Sequence, residues 1–268
     1  MRLSEPAITS LTNPRVKAAV RLRERRERDE TGLTVVDGLR ELLRALDRGV
    51  VISEAFVCDE LLRTAEAEDA VGRLRASGAP VRDVSEAVIA KVGFGDRSDG
   101  VVAVIRSLGI RLDDLVPPPN PLIVIVEAVE KPGNLGAILR TADGAGADAV
   151  IAADPRTDLF NPNAIRASLG TIFSLPVAAA TTAETLDWLT VRAIRPIAAR
   201  VDAPLLYSDA DLRGPIAIVL GSEAGGLTDA WVDPRVTAVR IPMLGTADSL
   251  NVSVAAAIVL YEAVRQRA

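Results

Sequence analysis

Apolar and polar positions alternate along this chain in blocks that predict helices and strands in turn. In the first hundred residues, "NPRVKAAVRLRERRER" opens with Asn-Pro and continues in strong helix formers, which predicts one helix. "LTVVDG" reads as a short strand ended by Gly38, and "LRELLRALDRG" as an amphipathic helix closed by Gly49. "VVISEAFVC", "PVRDV" and "GVVAVIR" read as strands, and "DELLRTAEAEDAVGRLRASG" and "SEAVIAKVG" as helices. Three consecutive prolines and an Asn-Pro in "SLGIRLDDLVPPPNP" then make a stiff extended connector. The expected division is a first α/β lobe over residues 1–107, a linker over 108–120 and a second domain over 121–268.

The second domain opens with "PLIVIVEAV", an apolar run of the kind found in a strand buried on both faces, which points to a parallel sheet covered by helices. "DAVIAA", "RPIAAR", "GPIAIVLG" and "VTAVRIPM" read as further strands. Between them, "NLGAILRTADGAG", "NPNAIRASLG", "AETLDWLT" and "GLTDAWV" read as helical, as does the C-terminus. The fold class is therefore α/β with a parallel sheet in the C-terminal part. One anomaly stands out. The C-terminal helix is greasy enough from Val254 onward to be buried, yet it opens with Ser249, Asn251 and Ser253.

Composition narrows the chemistry. The 268 residues are 49% apolar and 25% charged, as in a globular protein. The apolar runs fall short of the roughly 18 residues a membrane helix needs, and "MRLSEPAITS" lacks a signal-peptide core, so a cytoplasmic protein is expected. Cys58 is the single cysteine, so no internal disulfide or cysteine-rich zinc site can form. There is no histidine, which excludes Ser-His-Asp and Cys-His catalysis. Net charge is −5, but Arg15 to Arg28 holds seven basic and two acidic residues, giving +5 and leaving −10 elsewhere. Arg15, Lys17, Arg21, Arg23, Arg25 and Arg26 of this basic arm suit a polyanion, or else form a solvated helix face with internal Glu–Arg pairs.

Ligands of a parallel sheet sit beyond the C-terminal ends of its strands, and three strand ends here carry unusual sequence. After the first comes "EKPGNLGAILRTADGAG", where Gly133 and Gly136 allow a tight turn, Asn134 takes a capping place and Arg140 follows. After "IAIVL" comes "GSEAGGL", with three glycines in seven residues and Glu223 as the one charge. It is neither a phosphate-binding P-loop, nor a dinucleotide fingerprint, nor a nucleophile elbow. After "TAVRI" comes "PMLGTADSLNVSVAAA", where Ser249 is a plausible N-cap and Asn251 and Ser253 follow. One cap suffices for a helix, and burying further polar groups unpaired costs roughly 1–3 kcal/mol each.

"NLGAILRTADGAGA", "IVLGSEAGGL" and "IPMLGTADSLNVSVAAAIVLYE" resemble, in order and spacing, the three motifs of the SpoU (TrmH) family of RNA ribose 2′-O-methyltransferases, part of the SPOUT superfamily. The likeness spans about Pro121 to Glu262. The N-terminal lobe is similar to the substrate-binding domain that many members carry. The resemblance implies a deep trefoil knot, a homodimer, S-adenosylmethionine as cofactor and no metal. Carried over by position, Asn134, Arg140, Glu223, Ser249 and Asn251 would form the catalytic set. Leu220, Gly221, Gly225, Ile241, Met243 and Leu250 would hold the cofactor, and Arg166 would lie near RNA. Ala224 departs from the glycine many members have there, which weakens the expectation around Gly225. The implied substrate is structured RNA, ribosomal before tRNA. The rivals are a non-catalytic RNA-binding protein of the same fold, and a nucleotide-dependent oxidoreductase that the missing fingerprint disfavours.

Overall fold

A computed structural model describes residues 6–94, 99–222 and 224–268. In chain order the elements are α1 (Pro14–Arg21), α2 (Arg25–Thr31), β1 (Leu33–Asp37), α3 (Leu39–Asp47), β2 (Ile52–Val57), α4 (Ala65–Ala76), β3 (Val81–Asp83), α5 (Glu86–Val92) and β4 (Val101–Arg106). Then follow β5 (Leu122–Glu127), α6 (Pro132–Gly144), β6 (Ala149–Ala153), α7 (Pro162–Ala167), β7 (Val177–Ala180), α8 (Thr182–Val191), β8 (Arg195–Ala199), β9 (Leu205–Leu206), β10 (Ile216–Leu220), β11 (Thr237–Arg240) and α9 (Val252–Arg267). They gather into two compact units, one reaching Leu108 and including Phe160–Phe173, the other comprising Gly109–Leu159 and Ser174–Ala268.

The first unit is built on a four-stranded sheet in the order β1-β4-β2-β3, with β2 and β3 parallel and the other pairs antiparallel. Val16, Ala19 and Leu22 pack with Val88, Ile89 and Val92 against Val35, Phe56, Val102 and Val104. The helix expected from Asn13 to Arg28 breaks in two. Asn13 caps α1 as its sequence suggests, accepting from Arg15 N at 2.9 Å. The chain then turns at the buried Leu22, because Arg28 reaches back under the corner and donates to the carbonyls of Leu22 (2.7 Å) and Arg23 (2.8 Å). The helix expected from Asp59 is shorter too: a 3-10 turn covers Asp59–Leu61, and α4 starts only after Thr64, whose hydroxyl accepts from Ala67 N. Phe160–Phe173, within the second domain by sequence, groups with this unit for identifiable reasons. Phe160 O accepts from the buried Thr34 hydroxyl at 2.7 Å, and Leu169 O from Arg44 at 2.6 Å. At Gly170 (φ +80°) a Cβ would stand 2.9 Å from the Cα of Glu41, so only glycine permits this approach.

The second unit carries a seven-stranded parallel sheet in the order β7-β6-β5-β10-β8-β11-β9. Its central strands are wholly buried, as their unbroken apolar sequences require. Two strands, β7 and β9, were not expected; both are short, and Leu205–Leu206 has too few residues to show a period. "GLTDAWV" forms only a 3-10 turn at Asp229–Trp231. The proline-rich stretch is more than a connector within this unit, since Leu112 and Leu115 are buried in its core with Ile123, Ile151 and Trp188. Helix α9 packs on α6 and β10 through Ala256, Val259, Leu260 and Ala263, one face at helical spacing. Its opposite face is not buried in this chain: Val254 is 48% and Tyr261 52% exposed.

Candidate active site

Strand order places three loops on one rim. The strands β5 and β10 are adjacent with Val126 level with Leu220, so the loops that leave them are neighbours. The chain turns back and forth about this pair, with β6 and β7 on one side and β8, β11 and β9 on the other, which is where a parallel sheet opens a crevice. The third loop leaves β11, beyond β8, and ends at α9. It must therefore cross the ends of β8 and β10.

The crossing is closed by one hydrogen bond: Asn251 Nδ2 donates to Asn134 Oδ1 at 3.3 Å. Asn251, not Ser249, is the N-cap of α9, and its Oδ1 accepts from Ser253 N at 2.9 Å and from the Ser253 hydroxyl at 2.6 Å. The polar residues that opened a supposedly buried helix are thus exposed or half-buried, and two of the three satisfy each other. Ser249 lies in the exposed stretch before the cap, next to Leu250. Asn134 also differs from its expected place. The N-cap of α6 is Lys131 with Pro132 in the first helical position, which puts Gly133 and Asn134 inside the first turn rather than in a turn before it.

The glycine loop after β10 closes on itself. Ser222 and Gly226 exchange both backbone hydrogen bonds at 3.0 Å, and the Ser222 hydroxyl accepts from Gly225 N at 3.1 Å. Ser222 therefore braces a tight turn and caps no helix. A Cβ at Gly221 would stand 2.2 Å from the carbonyl carbon of Gly226, so no other residue fits there. Leu220 is buried at the end of β10, Gly221 is half-buried and Gly225 is exposed. Ile241 and Met243 are half-buried on the third loop, and Leu250 is exposed. Glu223 lies outside the described residues.

Arg140 is exposed and has no hydrogen-bond or ion-pair partner among the described residues. Six residues along α6 turn it about 120° around the helix from Asn134, so the helix does not present the two on one face.

A buried acid was missed by sequence reading. Glu127, the last residue of β5, is 1% exposed. Its Oε1 accepts from the hydroxyls of Thr182 and Thr228, each at 2.8 Å, and its Oε2 from Thr228 N at 2.8 Å. The available signal was the single acid in an otherwise apolar strand. A cleft of about 350 Å³ lined by Pro117, Pro118, Arg192 and Pro215 flanks the opposite, N-terminal ends of the strands and contains none of the candidate residues. Among the described residues, no group of three or more His, Cys, Asp or Glu side chains could hold a metal ion.

The basic arm is largely paired within its own unit. Arg15 meets Glu54 at 2.7 Å, Arg21 meets Glu27 at 3.1 Å, Arg25 meets Asp29 at 3.4 Å and Arg26 meets Glu30 at 2.6 Å. Arg23 donates to the carbonyls of Lys91 and Gly93 and stacks over Phe94. Lys17 is exposed and has no side-chain partner among the described residues. Arg166 meets the buried Asp37 at 3.2 Å. The window that gave +5 ends immediately before Asp29 and Glu30, which take up two of its arginines.

Comparison with known proteins decides the family. The model of the SpoU rRNA Methylase family matches residues 121–261, more than half of the chain. The chain belongs to the SpoU rRNA Methylase family. Residues 13–103 match the MRM3-like substrate binding domain. Among relatives of this SpoU protein, the 23S rRNA (guanosine-2′-O-)-methyltransferase RlmB of Ralstonia nicotianae is 41% identical over 177 residues, covering 64% of this chain and 71% of that one. The 23S rRNA (uridine(2479)-2′-O)-methyltransferase of Streptomyces viridochromogenes is 31% identical, covering 92% of this chain and 87% of its own. The crystal structure of an AdoMet-bound rRNA methyltransferase from Sinorhizobium meliloti superposes with a TM-score of 0.88 at 32% identity, covering 97% of each chain. The α/β class and the parallel sheet are those of the SPOUT methyltransferases.

Proposed function

We propose that this SpoU protein methylates a ribose 2′-hydroxyl of 23S ribosomal RNA with S-adenosylmethionine, the chemistry residing in residues 121–268 and RNA capture in residues 1–107. The relatives named above act on 23S rRNA, which favours ribosomal RNA over tRNA. The observation that carries the reading is the Asn251–Asn134 hydrogen bond, which joins the first and third motifs over the end of β10. The cofactor fits what is there. The Gly221 turn leaves no room for a side chain, Gly133 has open space where a Cβ would be, and Ile241, Met243 and Leu250 offer apolar surface beside exposed backbone.

Bound S-adenosylmethionine supplies an activated methyl on a sulfonium, so the protein needs to position the ribose and manage its proton. Backbone from Leu220, Gly221, Gly225, Ile241, Met243 and Leu250 holds the cofactor. Ser249, Asn251 and Asn134 present hydrogen-bonding groups to the nucleotide, and Glu223 belongs to the same set. Arg140 grips the RNA phosphate or the developing alkoxide. A guanidinium stays protonated in proteins and offers only donors, which makes it a poor base, so the proton leaves to phosphate or water. Arg140→Lys separates the roles: retained activity points to charge alone, and loss with intact RNA binding points to a specific guanidinium role, as base or as forked clamp.

Two finer features belong to this proposal. The first is the trefoil knot, for which strand order and reach speak. β11 lies between β8 and β9, with Val239 paired to both Ala199 and Leu205. Residues 200–204 must then cross the path of β11, and Arg240 donates to the carbonyls of Ala203 and Pro204 in that crossing segment. The second is the homodimer. The exposed Leu244, Leu250, Val254 and Tyr261 form apolar surface that a second copy would cover. Leu250→Asp or Ala257→Asp should then abolish dimerisation, cofactor binding or both, read by sedimentation and calorimetry. In RNA capture, Arg15, Lys17, Arg21, Arg23, Arg25, Arg26 and Arg166 face phosphates. The surface ion pairs of Arg15, Arg21, Arg25 and Arg26 hold only about 0–1 kcal/mol each and can be exchanged for phosphate contacts. Action on ribosomal RNA would be cytoplasmic. Among the described residues no helix is long and apolar enough to cross a membrane.

The deciding experiment maps ribose methylation in total RNA from cells with and without the gene. One 23S position should lose its methyl group; an unchanged map, or a loss confined to tRNA, overturns the reading. Calorimetry with S-adenosylmethionine separates the non-catalytic rival, which would show no binding.

A further inference from the structure

We propose that Glu127 is a positioning residue that holds the glycine loop in the shape the cofactor needs, a role that rests on the assignment of that loop to S-adenosylmethionine. The strand register puts Glu127 one residue beyond the Val126–Leu220 pair, level with Gly221 where the loop begins. Its carboxylate binds both the amide and the hydroxyl of Thr228, directly after the loop ends at Leu227. The loop is thus fixed at both feet by the last two residues of one strand: Val126 holds the entry by β-pairing and Glu127 the exit by its side chain. Between the feet, the Ser222–Gly226 closure sets the turn.

A carboxylate suits this place for a chemical reason. Three donors converge there, the two threonine hydroxyls and one amide, and an ionised carboxylate is acceptor-only with about four lone-pair sites. No Lys or Arg among the described residues pairs with it, so these three hydrogen bonds are what satisfies its buried oxygens. The third donor, Thr182, begins α8, so the same carboxylate also ties the loop exit to that helix.

The distribution of donors gives a test that separates loop positioning from general stability. Glutamine at 127 can keep all three contacts, its oxygen accepting from Thr228 N and its amide donating to the two hydroxyl oxygens. Glu127→Ala, Glu127→Gln and Thr182→Val are compared with the unmodified protein by calorimetry with S-adenosylmethionine and by thermal melting. The expected pattern is an affinity weakened at least about tenfold in Glu127→Ala and near-normal affinity in Glu127→Gln. Thr182→Val should show a lowered Tm with unchanged affinity. Equal affinity in Glu127→Ala, or a Glu127→Gln as weak as Glu127→Ala, overturns the inference, as does a Thr182→Val that loses affinity alongside its Tm. Should Glu127→Ala fail to fold, Thr228→Val decides: several-fold weaker binding supports the role and unchanged binding refutes it. Failure of the unmodified protein to bind the cofactor would overturn the functional assignment itself and is seen separately.

Discussion

The arginine-rich start of the first unit and the polar rim of the second drew attention for the same reason, a concentration of unusual side chains, and the structure treats them differently. In the first unit most of the cations find an acid or a carbonyl nearby, and one of them, Arg28, holds the corner between two helices. On the rim, Asn134 and Asn251 meet across 117 residues of sequence, and the glycine loop is closed by its own backbone and held at its exit by Glu127. A cluster of like charges in a sequence window is not a cluster in space, because short-range partners can sit just outside the window. Polar residues scattered over a sequence can be one site, because a parallel sheet delivers all its strand ends to one edge.

The sharpest break of this comparison is Gly221→Ala. The added methyl collides with backbone that has no room to yield, so cofactor affinity should fall by more than about a hundredfold and the melting temperature should drop with it. An alanine variant with normal affinity would mean the rim is not self-shaped. Arg28→Ala comes next. It leaves the carbonyls of Leu22 and Arg23 without their buried donor, a loss of about 3 kcal/mol in denaturant unfolding. Arg26→Ala, which removes only an exposed pair, should cost within about 0.5 kcal/mol. Similar losses for both would erase the distinction between the structural arginine and the surface ones. A smaller effect separates the rim polars: Asn251→Ala should cost about 1 kcal/mol as a lost N-cap, whereas Ser249→Ala should stay within about 0.5 kcal/mol. Methyl transfer by each variant would then show which of them touches the substrate.

The smallest effect is electrostatic. Burial raises the Glu41 carboxyl above its ordinary 4.5, with Arg166 and Arg40 pulling the other way. The folded state therefore holds the proton more tightly than the unfolded one, and stability from this group declines as pH rises from that ordinary value through the raised one. Glu41→Gln removes the ionisation while keeping a residue suited to the third helical position. Melting curves from pH 4 to 7 should show a slightly higher Tm at neutral pH and a flatter profile. A steeper profile would show that the ionised carboxylate is favoured after all.

Sequence was sufficient where the physics is local or strictly periodic. The apolar runs of β5, β6 and β10 identify strands buried on both faces, and Asn13-Pro14 and Asn161-Pro162 identify helix starts. The spacing of the three motifs identifies the family. It was insufficient wherever a distant partner decides. The corner after Leu22 exists because a guanidinium six residues on replaces the helical hydrogen bonds of two carbonyls. The start of α9 is Asn251 rather than Ser249, although either residue type could cap. The hydrogen-bond partners of Glu127 are threonines 55 and 101 residues away. Propensity and pattern are properties of neighbouring residues, fixed by the chain itself. Which polar group meets which is fixed only when the sheet has assembled, because burial demands a partner for each group and the strand order determines which partners lie within reach.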